Sequence, residues 1–335
     1  MRPIETVESH TQGMPTRVVI GGVDPVPGAT MFERREYARA HLDGLRRLLM
    51  YEPRGHGSMS GAILMPPADP NADLGVLFIE TTGFLPMCGH GSIGVCTVAV
   101  ETGLVTVTEP QTTLVLDTPA GLVRASVEVE NGRAKSVTLT NVPSFLALRD
   151  AMVEVDGLGT LRFDLAYGGN FYAILSARDA GLTLVLEEAA EIIDRGMRIM
   201  RAVAAQQAFA HPLERRIAEL KHVLFTAPPD AEGAHAKGAV VLYPGMLDRS
   251  PCGTGTSARM AQRYFRGEQS LHEEFAHESF LGSLFFGRLL EEFELAPGVR
   301  AVVPSIRGSA WISGYARYVL DPEDPFPNGF LIPSA

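Results

Sequence analysis

Cysteine is scarce in this sequence, with three residues in 335, at positions 88, 96 and 252. That is too few for a disulfide scaffold, so the expectation is a cytoplasmic chain with reduced thiols. Long apolar runs are missing too. No stretch reaches the ~18 residues that a spanning helix needs, although 46% of the residues are hydrophobic. The opening, Met1-Arg2-Pro3-Ile4-Glu5, has no apolar signal-peptide core. Positive charge is in short supply: 29 Lys and Arg face 39 Asp and Glu, for a formal net charge of −10. Phosphate backbones and anionic membrane surfaces select clustered basic residues, so neither nucleic acid nor a membrane is an expected partner. There is no low-complexity tract and no C-x-x-C pair of the kind that holds structural zinc.

What is present is one cysteine-headed loop, written twice. The first copy reads Cys88-Gly89-His90-Gly91-Ser92, the second Cys252-Gly253-Thr254-Gly255-Thr256. They lie 164 residues apart, one in each half of the chain. A helix-like run follows each and stops at a glycine fifteen residues after the cysteine, Gly103 or Gly267. The length allows two domains, each large enough to bury a core. Each half opens with strand, glycine turn, strand: Ile4 to Val7 and Thr16 to Ile20 in one, Phe163 to Ala166 and Phe171 to Leu175 in the other. A helical run follows, Phe32 to Tyr51 or Glu187 to Gln207. A strand precedes each cysteine, Gly75 to Glu80 or Ala239 to Tyr243. These patterns predict an α/β chain of two similar domains, 1–158 and 159–335, each with strands around a buried helix. The boundary is placed at the Gly-rich stretch Asp156-Gly157-Leu158-Gly159-Thr160, and the last strand is allowed to cross back to the first domain.

The glycines let backbone N–H groups meet a ligand closely. The following helix turns its orphan N–H groups and positive dipole end toward the loop, which favours a carboxylate and lowers a thiol pKa. Ser92 and Thr256 are read as capping hydroxyls. Two such loops facing one ligand would place a thiol on either side of a carbon, an arrangement for moving a proton across it. Three competing readings fare less well. A metal site could draw on Cys88 and His90, completed by His222 or Cys252, but the second loop offers a single ligand, so none is expected. The glycines at 253 and 255 lack the lysine of a phosphate loop. A Cys-His hydrolase gives no reason for a second thiol loop. Cys96, inside the apolar helix run, is read as a core thiol, and His10 and His56 as structural.

At these residues the chain resembles the proline racemase family. The segments that carry the likeness are Ser9-His10-Thr11, Glu52-Pro53-Arg54-Gly55-His56, Met87-Cys88-Gly89-His90-Gly91, Asp248-Arg249-Ser250-Pro251-Cys252-Gly253-Thr254-Gly255-Thr256-Ser257 and His277-Glu278-Ser279. The resemblance implies a diaminopimelate-epimerase-like fold of two pseudo-symmetric domains with the active site in the cleft between them. It implies catalysis without cofactor or metal on a small-molecule substrate, 4-hydroxyproline or proline, and allows a homodimer. Cys88 and Cys252 would be the acid/base thiols. Gly89, His90, Gly253 and Thr254 would hold the carboxylate and ring nitrogen, Asp248 would pair with the ring ammonium, and His222 would contact substrate. In the family, a threonine in place of the second cysteine marks trans-3-hydroxy-L-proline dehydratases. Both cysteines are present here, which favours epimerisation. Proline racemases tend to carry an aromatic where Ser60 stands, so a small hydroxyl there points to 4-hydroxyproline. Proline racemisation is the first alternative. A non-catalytic protein that binds cyclic amino acids is the alternative from another class.

Overall fold

The computed structural model describes residues 3–332. The chain forms two compact units, one running to Leu139 and resuming at Gly308, the other spanning Thr140–Arg307. The first unit holds β1 (Ile4–Thr11), β2 (Met14–Gly21), α1 (Met31–His41), α2 (Asp43–Met50), β3 (Ser60–Met65), β4 (Leu74–Glu80), β5 (Gly83–Leu85), α3 (Gly89–Glu101), β6 (Gln111–Thr118), β7 (Gly121–Glu130) and β8 (Arg133–Thr140). The second holds β9 (Phe145–Val155), β10 (Gly159–Tyr167), β11 (Phe171–Ser176), α4 (Ala189–Gln206), β12 (Leu220–Ala227), β13 (Ala236–Leu242), β14 (Met246–Leu247), α5 (Gly253–Arg266), β15 (Phe275–Ser279), β16 (Leu284–Ala296) and β17 (Val299–Gly308). The last strand, β18 (Ala310–Tyr318), belongs to the first unit.

The two units repeat one pairing scheme. β1 runs antiparallel to β2, β2 parallel to β3, β3 antiparallel to β4, and β4 parallel to β6. In the second unit β10, β11, β12, β13 and β15 pair in the same senses. β18 lies antiparallel to β1, from Ile4 opposite Tyr318 to Thr11 opposite Ala310. β9 holds the matching place beside β10. A strand from the end of the chain thus completes the first unit, as a local strand completes the second.

Local chemistry explains the elements. Thr11 pairs with Met14 across a two-residue turn, Gln12 and Gly13, whose φ angles are 49° and 90°. Two positive φ values match the right-handed twist of the flanking strands. The stretch read as a domain boundary, 156–160, is likewise a hairpin turn, between β9 and β10. The sequence hid this because the adjacent Arg149 and Asp150, with Glu154 further on, interrupt the apolar pattern of β9. The single helix expected over 32–51 is two helices, broken at Leu42 (φ −115°, ψ 13°). Asp43 starts the second and pairs with Arg46 at 2.7 Å, and the buried guanidinium of Arg46 donates to the carbonyls of Glu80 and Thr81. α4 is amphipathic and buries Ile192, Met197, Ile199, Met200 and Val203.

α3 has no polar face: every residue from Gly89 to Val100 is buried. A helix apolar all round belongs inside a core. It lies so close to β2 that a Cβ at Gly94 would come 2.9 Å from Thr16. α5 is buried over its first two turns and ends at Gly267 in the left-handed conformation (φ 75°), the usual glycine stop.

His277, on β15, is fully buried behind the first turn of α5. Thr256 Oγ1 donates to the Pro251 carbonyl at 3.2 Å, so it accepts from His277 Nδ1 at 2.8 Å. Burial, with the positive Arg259 and Arg263 adding to it, pushes the His277 pKa from 6.5 down to about 3. The unfolded chain therefore binds a proton in that interval that the folded chain does not. Stability rises with pH across it and is lost as pH falls below 6.5. Denaturant unfolding from pH 7 to pH 4 should show this loss. His277→Asn should be less stable at pH 7 and show a shallower slope, and an unchanged slope would remove His277 from the account.

Candidate active site: two thiols at helix N-termini

β4 and β5 deliver the chain to Cys88, the N-cap of α3 in extended conformation (φ −144°, ψ 115°). Its sulfur accepts from the Gly91 N–H at 3.4 Å. The small residue is required: a Cβ at Gly91 would lie 3.0 Å from that sulfur and 3.1 Å from Phe78. Cysteine thus fills the capping role that Ser, Thr, Asp or Asn fill at most helices. The hydroxyls read as caps sit one turn further in and donate backward, Ser92 to the Cys88 carbonyl at 2.8 Å and Thr256 to Pro251. They brace the loops by donating to these carbonyls, and the cap of α3 is the Cys88 sulfur.

Gly89 and His90 open the first turn of α3. His90 is buried, with Nδ1 3.5 Å and Nε2 3.7 Å from the Cys88 sulfur. Nε2 also lies 2.8 Å from Ser60 Oγ, and the Thr11 hydroxyl, from the β1–β2 turn, donates to the His90 carbonyl at 2.8 Å. The Ser60 hydroxyl donates to the Pro15 carbonyl. Ser60 is 1% exposed, so its hydroxyl serves His90 and Pro15 inside the protein. One carboxylate oxygen of Glu80, one His90 nitrogen and the Cys88 sulfur lie within 4.8 Å of one another.

The second thiol caps α5 differently. Cys252 has φ 65° and ψ 108°, a conformation strained for a residue with a side chain, and its sulfur makes no cap bond. Its neighbours hold it there. Asp248 Oδ1 accepts from the Ser250 N–H and hydroxyl, both at 2.9 Å, and Ser250 Oγ accepts from the Cys252 N–H at 3.1 Å. The fully buried Tyr172 places its hydroxyl 3.3 Å from the sulfur and 2.6 Å from Thr254 Oγ1. The Tyr172 ring packs 4.7 Å from the ring of His222, whose buried Nδ1 has no hydrogen-bond partner. Behind Gly253 and Thr254 sits the β10–β11 turn. A Cβ at Gly168 would come 2.3 Å from the Thr254 carbonyl. Asn141 ties that turn to the helix by donating to the Gly168 carbonyl at 3.0 Å and to Ser257 Oγ at 2.9 Å.

Burial dominates the electrostatics of Cys252 and Cys96 alike. Burial pushes the Cys252 thiol well above its ordinary value, with the charge of Asp248 adding to this, and the hydroxyls of Tyr172 and Thr254 act the other way. Cys96, fully buried in α3, is pushed up to about 12 by burial and then by Asp73, so it stays protonated. His222 is held down to about 3, first by burial and then by Lys221, and is neutral at physiological pH.

A family profile described as proline racemase matches residues 6–331. The chain belongs to the proline racemase family. It is 57% identical to a protein of Streptosporangium roseum named 4-hydroxyproline 2-epimerase, over 99% of both chains. It is 41% identical to the proline racemase of Clostridioides difficile, over 99% of this chain and 98% of that one. Among solved structures, a hydroxyproline epimerase from Agrobacterium vitis with bound trans-4-OH-L-proline superposes with a TM-score of 0.92 at 34% identity, covering 99% of this chain and 96% of that one. A PhzF-family protein of Bacillus anthracis, 12% identical with a TM-score of 0.61, shares the fold alone. The fold is thus the mixed α/β one of proline racemases and of the PhzF and diaminopimelate-epimerase relatives.

In this proline racemase family member, the residues singled out from sequence gather in two groups. Ser60, Cys88, Gly89 and His90 meet in the first unit, and His222, Asp248, Cys252, Gly253 and Thr254 in the second. His10 and His56 serve their own loops, accepting from the backbone of Gly13 and Ser58. Three contributors escaped the sequence reading. Tyr172 looked like any strand aromatic. Glu80 closed an apolar strand, an odd place for a charge and the one available hint. Ser250 sits in Asp-x-Ser, a local turn signature.

Two isosteric changes test the balance at the second thiol. With Cys88 and Cys96 replaced by serine, Asp248→Asn should lower the Cys252 titration midpoint and Tyr172→Phe should raise it, as read by thiolate ultraviolet absorbance. Shifts of the same sign would contradict the assignment of these neighbours. Gly168→Ala should cost about 1–3 kcal/mol in unfolding free energy, because the first turn of α5 must retreat.

Proposed function

We propose that this protein is a cofactor-independent epimerase acting at C2 of 4-hydroxyproline, interconverting trans-4-hydroxy-L-proline and cis-4-hydroxy-D-proline. The observation that carries the reading is a buried cysteine at the N-terminus of a buried helix in each of two units of one topology. Inversion at carbon requires a base on one face and an acid on the other. One thiolate removes the Cα proton, the other thiol delivers a proton to the opposite face, and the roles exchange in the reverse direction.

The supporting residues divide the remaining work. N–H groups in the first turns of α3 and α5 suit the substrate carboxylate, whose charge grows as the Cα proton leaves. Asp248 would pair with the ring ammonium. The unpartnered Nδ1 of the neutral His222 is available to a substrate polar group. With the Ser60 hydroxyl engaged inside the protein, the preference for 4-hydroxyproline rests on the Streptosporangium relative and the Agrobacterium structure. The second reading, proline racemisation, has the Clostridioides relative behind it.

Polarimetry on both amino acids, with no cofactor added, decides between them. A higher kcat/KM on 4-hydroxyproline is expected, and equal or better turnover of proline would transfer the assignment to proline. Cys88→Ser and Cys252→Ser should each lower epimerisation by about 10²–10⁴-fold, the usual contribution of a general acid or base. Cys96→Ser should retain activity. Full activity in either of the first two variants would end the two-thiol mechanism. Pyrrole-2-carboxylate, planar at the carbon that inverts, should bind more tightly than substrate.

A further inference from the structure

The two thiols have unlike neighbours at matching places in the fold. The third loop residue is His90 beside Cys88 and Thr254 beside Cys252. Ser60 opens β3 opposite Glu80, the last residue of β4. In the second unit the same register sets His222 opposite Leu242, the last residue of β13. The first thiol therefore has an imidazole with a carboxylate nearby, where the second has a hydroxyl and a leucine.

Hydrogen-bond bookkeeping fixes how that imidazole is used. A carbonyl oxygen only accepts, so the Ser60 hydrogen goes to Pro15. The Ser60 oxygen is then the acceptor toward His90, and Nε2 carries a hydrogen. A neutral imidazole has one N–H, which leaves Nδ1 as a lone pair 3.5 Å from the Cys88 sulfur. A Glu80 carboxylate oxygen on β4 lies within 4.8 Å of both the His90 nitrogen and the Cys88 sulfur; it favours the imidazolium and opposes a lone thiolate, so it supports the thiolate only with the proton on His90. β1 and β3 contribute the hydroxyls of Thr11 and Ser60. Around Cys252 stand Asp248, Tyr172 and Thr254, with His222 behind the Tyr172 ring. An acidic neighbour there opposes a second negative charge.

We propose that Ser60 and Glu80 are positioning residues that make His90 the base of Cys88, so that the unliganded protein rests with Cys88 as thiolate and Cys252 as thiol. The proton passes from Cys88 Sγ to His90 Nδ1 and no other bond changes. Such a resting state is already poised for one direction of inversion, whereas the reverse direction requires a proton to be moved from Cys252 to the first site beforehand. This rests on the two-thiol reading above, but its test does not depend on turnover.

Thiolate ultraviolet absorbance of the unliganded protein against pH is the measurement. Cys252→Ser, which keeps Cys88, should retain a thiolate signal at neutral pH, and Cys88→Ser should lose it. In the Cys252→Ser protein, Ser60→Ala and Glu80→Gln should each raise the Cys88 midpoint by about one pH unit, a tenfold change in its ionisation constant. Ser60→Thr, which keeps the hydroxyl, should restore it. A purely structural role would leave the midpoint in place. His90→Gln provides the same arm should Ser60→Ala fail to fold. Equal midpoints for the two thiols, earlier ionisation of Cys252, or a midpoint indifferent to Ser60, Glu80 and His90 would overturn the proposal. Ordered midpoints in a protein inactive on both amino acids would instead sink the epimerase reading and leave this one standing.

Discussion

Everything in the site depends on one constraint: a cysteine must sit at the start of a helix whose first turn is shielded from water. The first N–H groups of a helix have no partner within it. Burying them is unfavourable unless something accepts from them, and here the sulfur of Cys88 does so directly. The rest of each unit enforces the arrangement. α3 is apolar on every side and must be surrounded by strands. The opening hairpin reaches the first turn of the cysteine helix in both units, through Thr11 on His90 and through Gly168, which Asn141 ties to α5. Those contacts are short and polar, so they fix position as well as supplying stability.

The two copies have kept a topology and exchanged its contents. Cys88 is relaxed and cap-bonded. Cys252 holds a positive φ, with Asp248 and Ser250 tying down the preceding turn. One loop has a histidine beside its thiol, the other a threonine under a buried tyrosine. Proton transfer across a carbon, as proposed above, would use two thiols in opposite protonation states, and unlike surroundings suit that difference. Asp248 does two jobs within this scheme. It organises the loop through Ser250, and its charge discourages ionisation of the neighbouring sulfur.

Sequence alone determined what is local. Cys-Gly-x-Gly ahead of a helical run, written twice at matching distances from a terminating glycine, announced two helix N-termini carrying thiols, because capping and glycine conformation are settled within about five residues. Strand, turn, strand at the head of each half was legible for the same reason, and so was Cys96 as a core residue on an apolar helix. What only the tertiary structure decided depends on partners distant in the chain. Ser60 reads as a small hydroxyl near substrate until β3 is paired with β4 and its oxygen is seen to be taken by His90 and Pro15. Tyr172 is an ordinary strand aromatic until α5 arrives beneath its hydroxyl, 80 residues later in the chain. The stretch 156–160 looks like a linker until β9 and β10 pair across it, and the crossing of the last strand, allowed for in the sequence, receives its partner β1, about 300 residues away, and its register only in the fold. Hydrogen-bond partners and burial are properties of the folded neighbourhood, so the two thiol loops could be read along the chain, whereas the groups that surround each thiol could be read only in the fold.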